Sequence, residues 1–143
     1  MIVISGPSGV GKDSVVRRLQ QCNSSLHFVV TATTRLPRQG ELDGHDYFFV
    51  SRSRFKEMID KKELIEHAVV YGDYKGVPKQ QVEDAWSTGL DVVMRLDVQG
   101  AARIKKIFPA AVSIFLTTGT QEELENRLLS RKSETDQTLK LRV

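Results

Sequence analysis

The chain has 143 residues, 40% hydrophobic and 27% charged, enough to bury one sizeable core and typical in balance of a soluble globular domain. Its net charge of +3 and pI near 9.1 suit anionic small ligands, but Lys and Arg are interspersed with Asp and Glu, which argues against a nucleic-acid-binding stripe. A single cysteine, Cys22, excludes an intramolecular disulfide and forms no metal cluster with the scattered His27, His45 and His67; no apolar run reaches membrane-spanning length, and no targeting segment is expected ahead of the first strand.

In chain order, Met1 to Ser5 (MIVIS) reads as a buried strand. Asp13 to Cys22 reads as a helix with Val15, Val16 and Leu19 on its inner stripe, ended by Asn23-Ser24-Ser25. Between them lies GPSGVGKDS, Gly6 to Ser14, which follows the pattern G-x-x-x-x-G-K-[ST] at Gly6, Gly11 and Lys12 but carries Asp13 in place of Ser or Thr. Glycines at 6, 9 and 11 let consecutive N–H groups approach an anion, and Lys12 adds a full charge at the helix start. A strand before and a helix after make this a phosphate-binding loop rather than an ordinary corner with a stray lysine.

Leu26 to Val30 is a second strand. Thr31 to Val50 (TATTRLPRQGELDGHDYFFV) is broken by Pro37, Gly40 and Gly44, carries Arg35 and Arg38 among hydroxyl residues, and ends in a short strand from Asp46 to Val50. Ser51 caps a helix reaching about Lys62, with Phe55, Met58 and Ile59 inward, and Leu64 to Val70 returns as strand. Tyr71 to Pro78 is a turn or short hairpin, and Pro78 is expected as the first residue of a helix ending at Gly89, with Val82, Ala85 and Trp86 as its inner stripe. Leu90 to Leu96 is a strand ending in Asp97, Gln99 to Phe108 a helix stopped by Pro109, and Ala111 to Leu116 a strand. Thr120 and Glu123 form a capping box for a helix carrying Leu124, Leu128 and Leu129, with Arg127 and Arg131 one turn apart. Ser133 with Asp136 starts one more helix, which is still running at Val143.

Alternating strands and helices predict an α/β fold: a parallel sheet with helices on both faces, binding its ligands at the carboxyl ends of the strands, where Gly6, Thr31 and Asp97 fall. The stretch from about Thr31 to Thr88 breaks that rhythm and reads as an inserted substrate lobe. Two groups of arginines stand beside the phosphate loop, Arg35 with Arg38 and Arg127 with Arg131 and Arg142. Each arginine alone reads as a solvated surface residue. Together they supply the planar cations that phosphoryl transfer needs on both sides of the moving group.

The stretches GPSGVGK, TATTRLPRQGELDGHDYFFV, ELIEHAVVYGDYKGVP and LDVQGA, with the RL-x-x-R run from Arg127 to Arg131, resemble guanylate kinase over essentially the whole chain. YGDYKGVPKQQ and the Asp after the loop lysine are most similar to the organellar guanylate kinases of plants and algae. The resemblance implies a single domain over 1–143 with the P-loop nucleoside-monophosphate-kinase fold. Its core would span about 1–30 and 89–116, its GMP-binding lobe about 31–88, and a short lid with the C-terminal part about 117–143. It implies transfer of the γ-phosphate of ATP to GMP, with magnesium accompanying ATP; magnesium follows from the phosphate chemistry and not from a visible ligand set.

Position by position, the resemblance puts ATP on Gly6, Pro7, Ser8, Gly9, Val10, Gly11, Lys12, Asp13 and Ser14, with Arg127 along its adenine side. Lys12, Arg131 and Arg142 would contact the transferring phosphoryl group. Arg35, Arg38 and Tyr47 would clamp the GMP phosphate, helped by Lys75, and Thr31, Glu66 and Asp97 would surround the guanine. A carboxylate accepts from guanine N1–H and the 2-amino group together, whereas adenine offers neither donor, so Glu66 is the residue expected to reject AMP. The ELIEH alternation alone would also allow Glu66 to face solvent.

Three positions depart from the resemblance: Lys75 where many relatives have Tyr, Val77 where they have Ser or Thr, which would cost the base a hydrogen-bond partner, and Arg95, two before Asp97, where an acidic residue is common, which would alter how magnesium-bound water is oriented. Asp13 is expected either to turn away from the phosphates or to meet them through magnesium, with Ser14 as a substitute hydroxyl. The resemblance also implies elements beyond Val143, among them a strand bearing an adenine contact, so incomplete ATP binding and an exposed sheet edge are expected. Other readings stay open: a ribose bisphosphate phosphokinase, which needs no guanine reader, a non-catalytic guanylate-kinase-like scaffold, which typically lacks the loop lysine, and an inactive fragment. An organellar location, chloroplast or mitochondrion, is implied by resemblance alone; the residues otherwise suit the cytoplasm.

Overall fold

Ile2, Val3 and Ile4 present apolar side chains to both sides of a strand, so this segment is stable only when covered on both faces. That is where it lies in the computed structural model, which describes residues 1–22 and 25–130. Arg131, Arg142 and the helix expected from Ser133 lie outside the described residues, as do Asn23 and Ser24.

In chain order the elements are β1 (Ile2–Ser5), α1 (Lys12–Cys22), β2 (Leu26–Phe28), β3 (Ala32–Thr33), β4 (Phe48–Phe49), α2 (Arg52–Asp60) and β5 (Leu64–Val70). They continue with β6 (Asp73–Pro78), α3 (Lys79–Ser87), β7 (Asp91–Arg95), α4 (Val98–Ile107), β8 (Val112–Phe115) and α5 (Gln121–Leu129). The first sheet is wholly parallel with strand order β2-β7-β1-β8, and Ile2, Val3 and Ile4 of β1 stand opposite Val93, Met94 and Arg95 of β7. Alternate side chains go to opposite layers. Ile4 and Val93 pack against Val16 of α1, whereas Val3, Val92 and Met94 pack against Val82 and Ala85 of α3 and Ile104 of α4. The expected α/β fold with helices on both faces is the one observed.

The second sheet, order β4-β3-β6-β5, fills the middle third of the chain. It is mixed: β3 runs parallel to β4 and antiparallel to β6, which pairs antiparallel with β5. Its own core gathers Ala32, Leu64, and Phe55 and Met58 of α2, with Phe55 stacked on Tyr74 at 5.2 Å; full burial of a side chain the size of Phe55 contributes about 1.5–3 kcal/mol. As expected, Ser51 caps α2 through the Arg54 N–H.

Several expectations are corrected. Tyr71 to Pro78 is mostly strand: β6 forms a long hairpin with β5, closed by Tyr71 and Gly72, both with positive φ as a type I′ turn requires. Pro78 is the N-cap of α3 and not its first residue. Trp86 is 49% exposed and meets Phe108 edge-on, because the buried stripe of α3 is Val82 and Ala85, three residues apart. Leu129 likewise faces out, while Leu124 and Leu128 pack on Val10. The strand expected to begin at Asp46 is the two-residue β4, and β2 stops at Phe28. α3 packs in one cluster with β7 of the first sheet and with Val77 of β6.

The chain leaves β1 through Gly6 beside Leu116. A Cβ on Gly6 would stand 2.3 Å from the Leu116 carbonyl oxygen, and φ there is 147°. Gly6→Ala is therefore expected to cost about 2 kcal/mol or more and to lower the melting temperature by more than about 5 °C. An unchanged thermal melt would contradict this account of the turn.

Candidate active site

The loop after β1 wraps the start of α1, and its conformation rests on a second surface. Leu124 and Leu128 of α5 pack with Val10, and Arg127 donates to the Val10 carbonyl at 3.1 Å while pairing with Glu123. Thr120 caps α5 by accepting from the Glu123 N–H; the Glu123 carboxylate accepts from Gly119 rather than from Thr120, so the expected box closes one residue early. Within the loop, the Lys12 ammonium donates to the carbonyls of Gly6 and Pro7 at 2.7 and 2.8 Å, leaving one N–H for another acceptor. Burial, and then the positive charge of Lys75, lower its pKa from 10.5 to about 8.

Across the cleft stands a second cationic group. Arg35 is held in a fork by Glu41, at 2.7 and 2.9 Å, and the same carboxylate accepts from the Arg38 N–H at 2.7 Å. Burial pushes the Glu41 carboxyl up, yet the Arg35 fork and the Arg38 N–H outweigh it and hold the group below its ordinary range. The Thr33 hydroxyl accepts from the Arg35 N–H, and the Arg35 guanidinium lies over the rings of Tyr47 and Phe49 at 5.0 and 5.5 Å. Burial raises the Tyr47 pKa, so the phenol remains a hydrogen-bond donor at neutral pH. This arrangement presents guanidinium and phenol groups pre-set by neighbours, which suits a dianionic phosphate.

The third wall is acidic. Alternation along β5 turns Glu66 inward, where its side chain is 3% exposed. Asp97 caps α4 by accepting from the N–H groups of Gln99 and Gly100. The two carboxylates converge over Gly100: a Cβ there would lie 3.3 Å from Glu66 Oε2 and 3.5 Å from Asp97 Oδ2. Glu66 Oε1 accepts from Arg103 at 2.9 Å, and Arg103 also donates to the His67 carbonyl. Burial raises the Glu66 pKa; Asp97 adds to the rise and Arg103 opposes it. Arg103 is a contact that the spacing of residues along the sequence did not reveal.

All three walls line one cleft of about 410 Å³. A family model described as guanylate kinase matches residues 1–143. The chain belongs to the guanylate kinase family. It is 53% identical over 144 residues to guanylate kinase 2, chloroplastic/mitochondrial, of Oryza sativa subsp. japonica, covering 100% of this chain and 50% of the rice protein. It is 42% identical over 143 residues to the guanylate kinase of Halalkalibacterium halodurans, covering 100% of this chain and 70% of that one. The crystal structure of guanylate kinase from Anaplasma phagocytophilum superposes with a TM-score of 0.79 at 36% identity, over 91% of this chain and 66% of that one. The chain thus spans between 50% and 70% of the length of these relatives.

Within this guanylate kinase fold, the cleft gathers Gly6, Pro7, Ser8, Gly9, Gly11, Lys12, Asp13, Thr31, Arg35, Arg38, Tyr47, Glu66, Lys75 and Asp97 from the expected set. Val10, Ser14 and Arg127 do not line it. Val10 is buried under α5, Ser14 is exposed, and Arg127 braces the loop from outside. Val77 is fully buried in the apolar cluster that also holds Val82 and Ala85 of α3, and it stands opposite Glu66 in the pairing of β5 with β6. The cleft also takes in Asp73, Val98, Gln99 and Arg95, which the sequence had not marked as lining it. Asp13 pairs with Arg95 at 2.7 Å.

Proposed function

We propose that this chain catalyses phosphoryl transfer from ATP to GMP, giving ADP and GDP. The observation that carries the reading is the convergence, in one cleft, of the Lys12 loop, the Arg35 and Tyr47 clamp and the buried Glu66 carboxylate. In this reading the loop N–H groups and Lys12 hold the donor phosphates, and Arg35, Arg38, Tyr47 and Lys75 hold the acceptor phosphate. Glu66, Asp97 and Thr31 read the guanine. An oxygen of the GMP phosphate attacks the γ-phosphorus, the bond to the β–γ bridging oxygen breaks, and ADP leaves with that electron pair. The flanking cations stabilise the charge on the moving group, and closure of the lobes over both substrates would exclude water as a competing acceptor. Arg131 and Arg142 would add to those cations; both lie outside the described residues.

Among the described residues no three carboxylates, imidazoles or thiols converge as a metal site. Asp13, beside Lys12, is engaged by Arg95. Magnesium in this proposal would enter with ATP and would supply charge neutralisation at the phosphates. The division into a core near 1–30 and 89–116, a GMP lobe near 31–88 and a lid from 117 is part of the same reading, with α3 serving the core layer. The likeness to a chloroplastic/mitochondrial protein supports an organellar location.

A coupled assay with ATP and magnesium, offering GMP, AMP and a ribose bisphosphate in turn, tests the proposal. Turnover is expected with GMP alone. Equal turnover of AMP would overturn guanine recognition, and turnover of the ribose bisphosphate would favour the sugar-phosphate reading. Lys12, which scaffold relatives typically lack, and the inward Glu66 both favour the nucleotide kinase.

A further inference from the structure

One guanidinium in the cleft has no part in the roles assigned so far. Arg95 ends β7, with its side chain 11% exposed, between the phosphate loop and the acceptor clamp. It donates to Asp13 on the loop side at 2.7 Å and to the Asp46 carbonyl on the clamp side at 2.5 Å. Its guanidinium lies 4.3 Å from the centre of the Tyr47 ring, the residue next to that carbonyl. The Asp46 carboxylate is itself fixed by the Leu42 N–H at 2.9 Å and by Arg17 of α1 at 3.0 Å. The segment carrying Tyr47 is thus tied twice to the core, and Arg95, which makes one of those ties, also pairs with the residue that follows Lys12.

We infer that Arg95 and Asp13 work as one unit, a positioning pair that fixes the Tyr47 phenol relative to the phosphate loop and so sets the acceptor phosphate against the donor. The inference rests on the reading of Arg35 and Tyr47 as the acceptor clamp. Asp13 supplies the charge that lets an arginine be buried among other cations, and the planar guanidinium supplies what a lysine lacks: separate N–H groups for two acceptors and a flat face for the ring. Arg95 Nε makes no hydrogen bond among the described residues, which marks a side chain placed for its contacts to Asp13, Asp46 and Tyr47 and not for complete satisfaction of its own donors.

The test is calorimetric titration of the whole chain with GMP, alongside thermal melts, for Arg95→Met, Arg95→Lys, Asp13→Ser and the Asp13→Ser/Arg95→Met double variant. Arg95→Met is expected to weaken GMP binding about tenfold or more, the loss of a charge-assisted contact. Arg95→Lys keeps the charge opposite Asp13, so it should regain the melting temperature while GMP binding stays weak. The double variant removes both charges together, and so remains folded even where Arg95→Met alone does not; it is expected to bind GMP no more weakly than Arg95→Met. Wild-type affinity in Arg95→Met, full recovery in Arg95→Lys, or strictly additive losses would overturn the pair. If the unaltered chain fails to bind GMP, the acceptor reading falls and takes the pair with it, an outcome distinct from failure of the pair alone.

Discussion

Lys12→Met is expected to lower kcat by about 10³-fold or more while the chain stays folded. The side chain is the one cation within the loop itself, and its loss removes charge at the point where negative charge accumulates on the transferring group. Folding should be indifferent or slightly improved. The lowered pKa, caused mainly by burial, means the folded state disfavours the ammonium. Between about pH 8 and 10.5 the unfolded chain binds more protons than the folded one, so the lysine's contribution to stability rises with pH across that window, and below it the penalty is fully present. Replacing Lys12 removes that penalty at neutral pH. The same shift predicts the rate profile: kcat/KM for ATP should fall as pH rises through about 8, when the free enzyme loses the ammonium. Stopped assays across that range, with melts of the variant, check both statements. Wild-type turnover in a folded Lys12→Met chain would refute the assignment of the loop.

Glu66→Ala is expected to reduce the preference for GMP over AMP by about 10²-fold or more, chiefly through KM for GMP. The carboxylate is buried, so the donors it would pair with in guanine have no water to replace it. Acidification should mimic the substitution. Burial and the nearby Asp97 raise the Glu66 pKa, so GMP affinity should fall with decreasing pH from a point above the ordinary carboxylate value of 4.5. Arg103 opposes that rise, and Arg103→Met should move the loss of affinity to higher pH still. Titrations of GMP at several pH values measure this directly. Unchanged discrimination in Glu66→Ala would remove Glu66 from base recognition.

The phosphate loop, the parallel character of the first sheet and most helix limits were legible because each follows from pattern along the chain: glycine spacing, apolar period, caps and the alternation of strands with helices. The second sheet was harder, since β3 and β4 have two residues each and gain their stability from pairing with one another, from the pairing of β3 with distant β6 and from Phe55. No periodicity can be read from so short a run. Glu66 was ambiguous for a related reason: alternation in β5 fixes which residues share a face but not which face is covered. The contact between Asp13 and Arg95 was invisible, because two residues each odd at its own place announce nothing about meeting. Glu41 was missed likewise; its role as the partner of Arg35 depends on how the loop between them folds back.

The strand order of the first sheet bears on how the chain is made. β1 precedes both of its partners, β7 and β8, by a long stretch of chain, so it waits until residues near 91–115 have been made. Gly6 takes its shape against Leu116, from the far end of that interval. Formation of the nucleotide loop is therefore a late, non-local event, of the kind that slows folding and leaves the apolar β1 segment in need of protection in the meantime. ATP binding by a refolding chain would report the closing of the sheet and not its first stages.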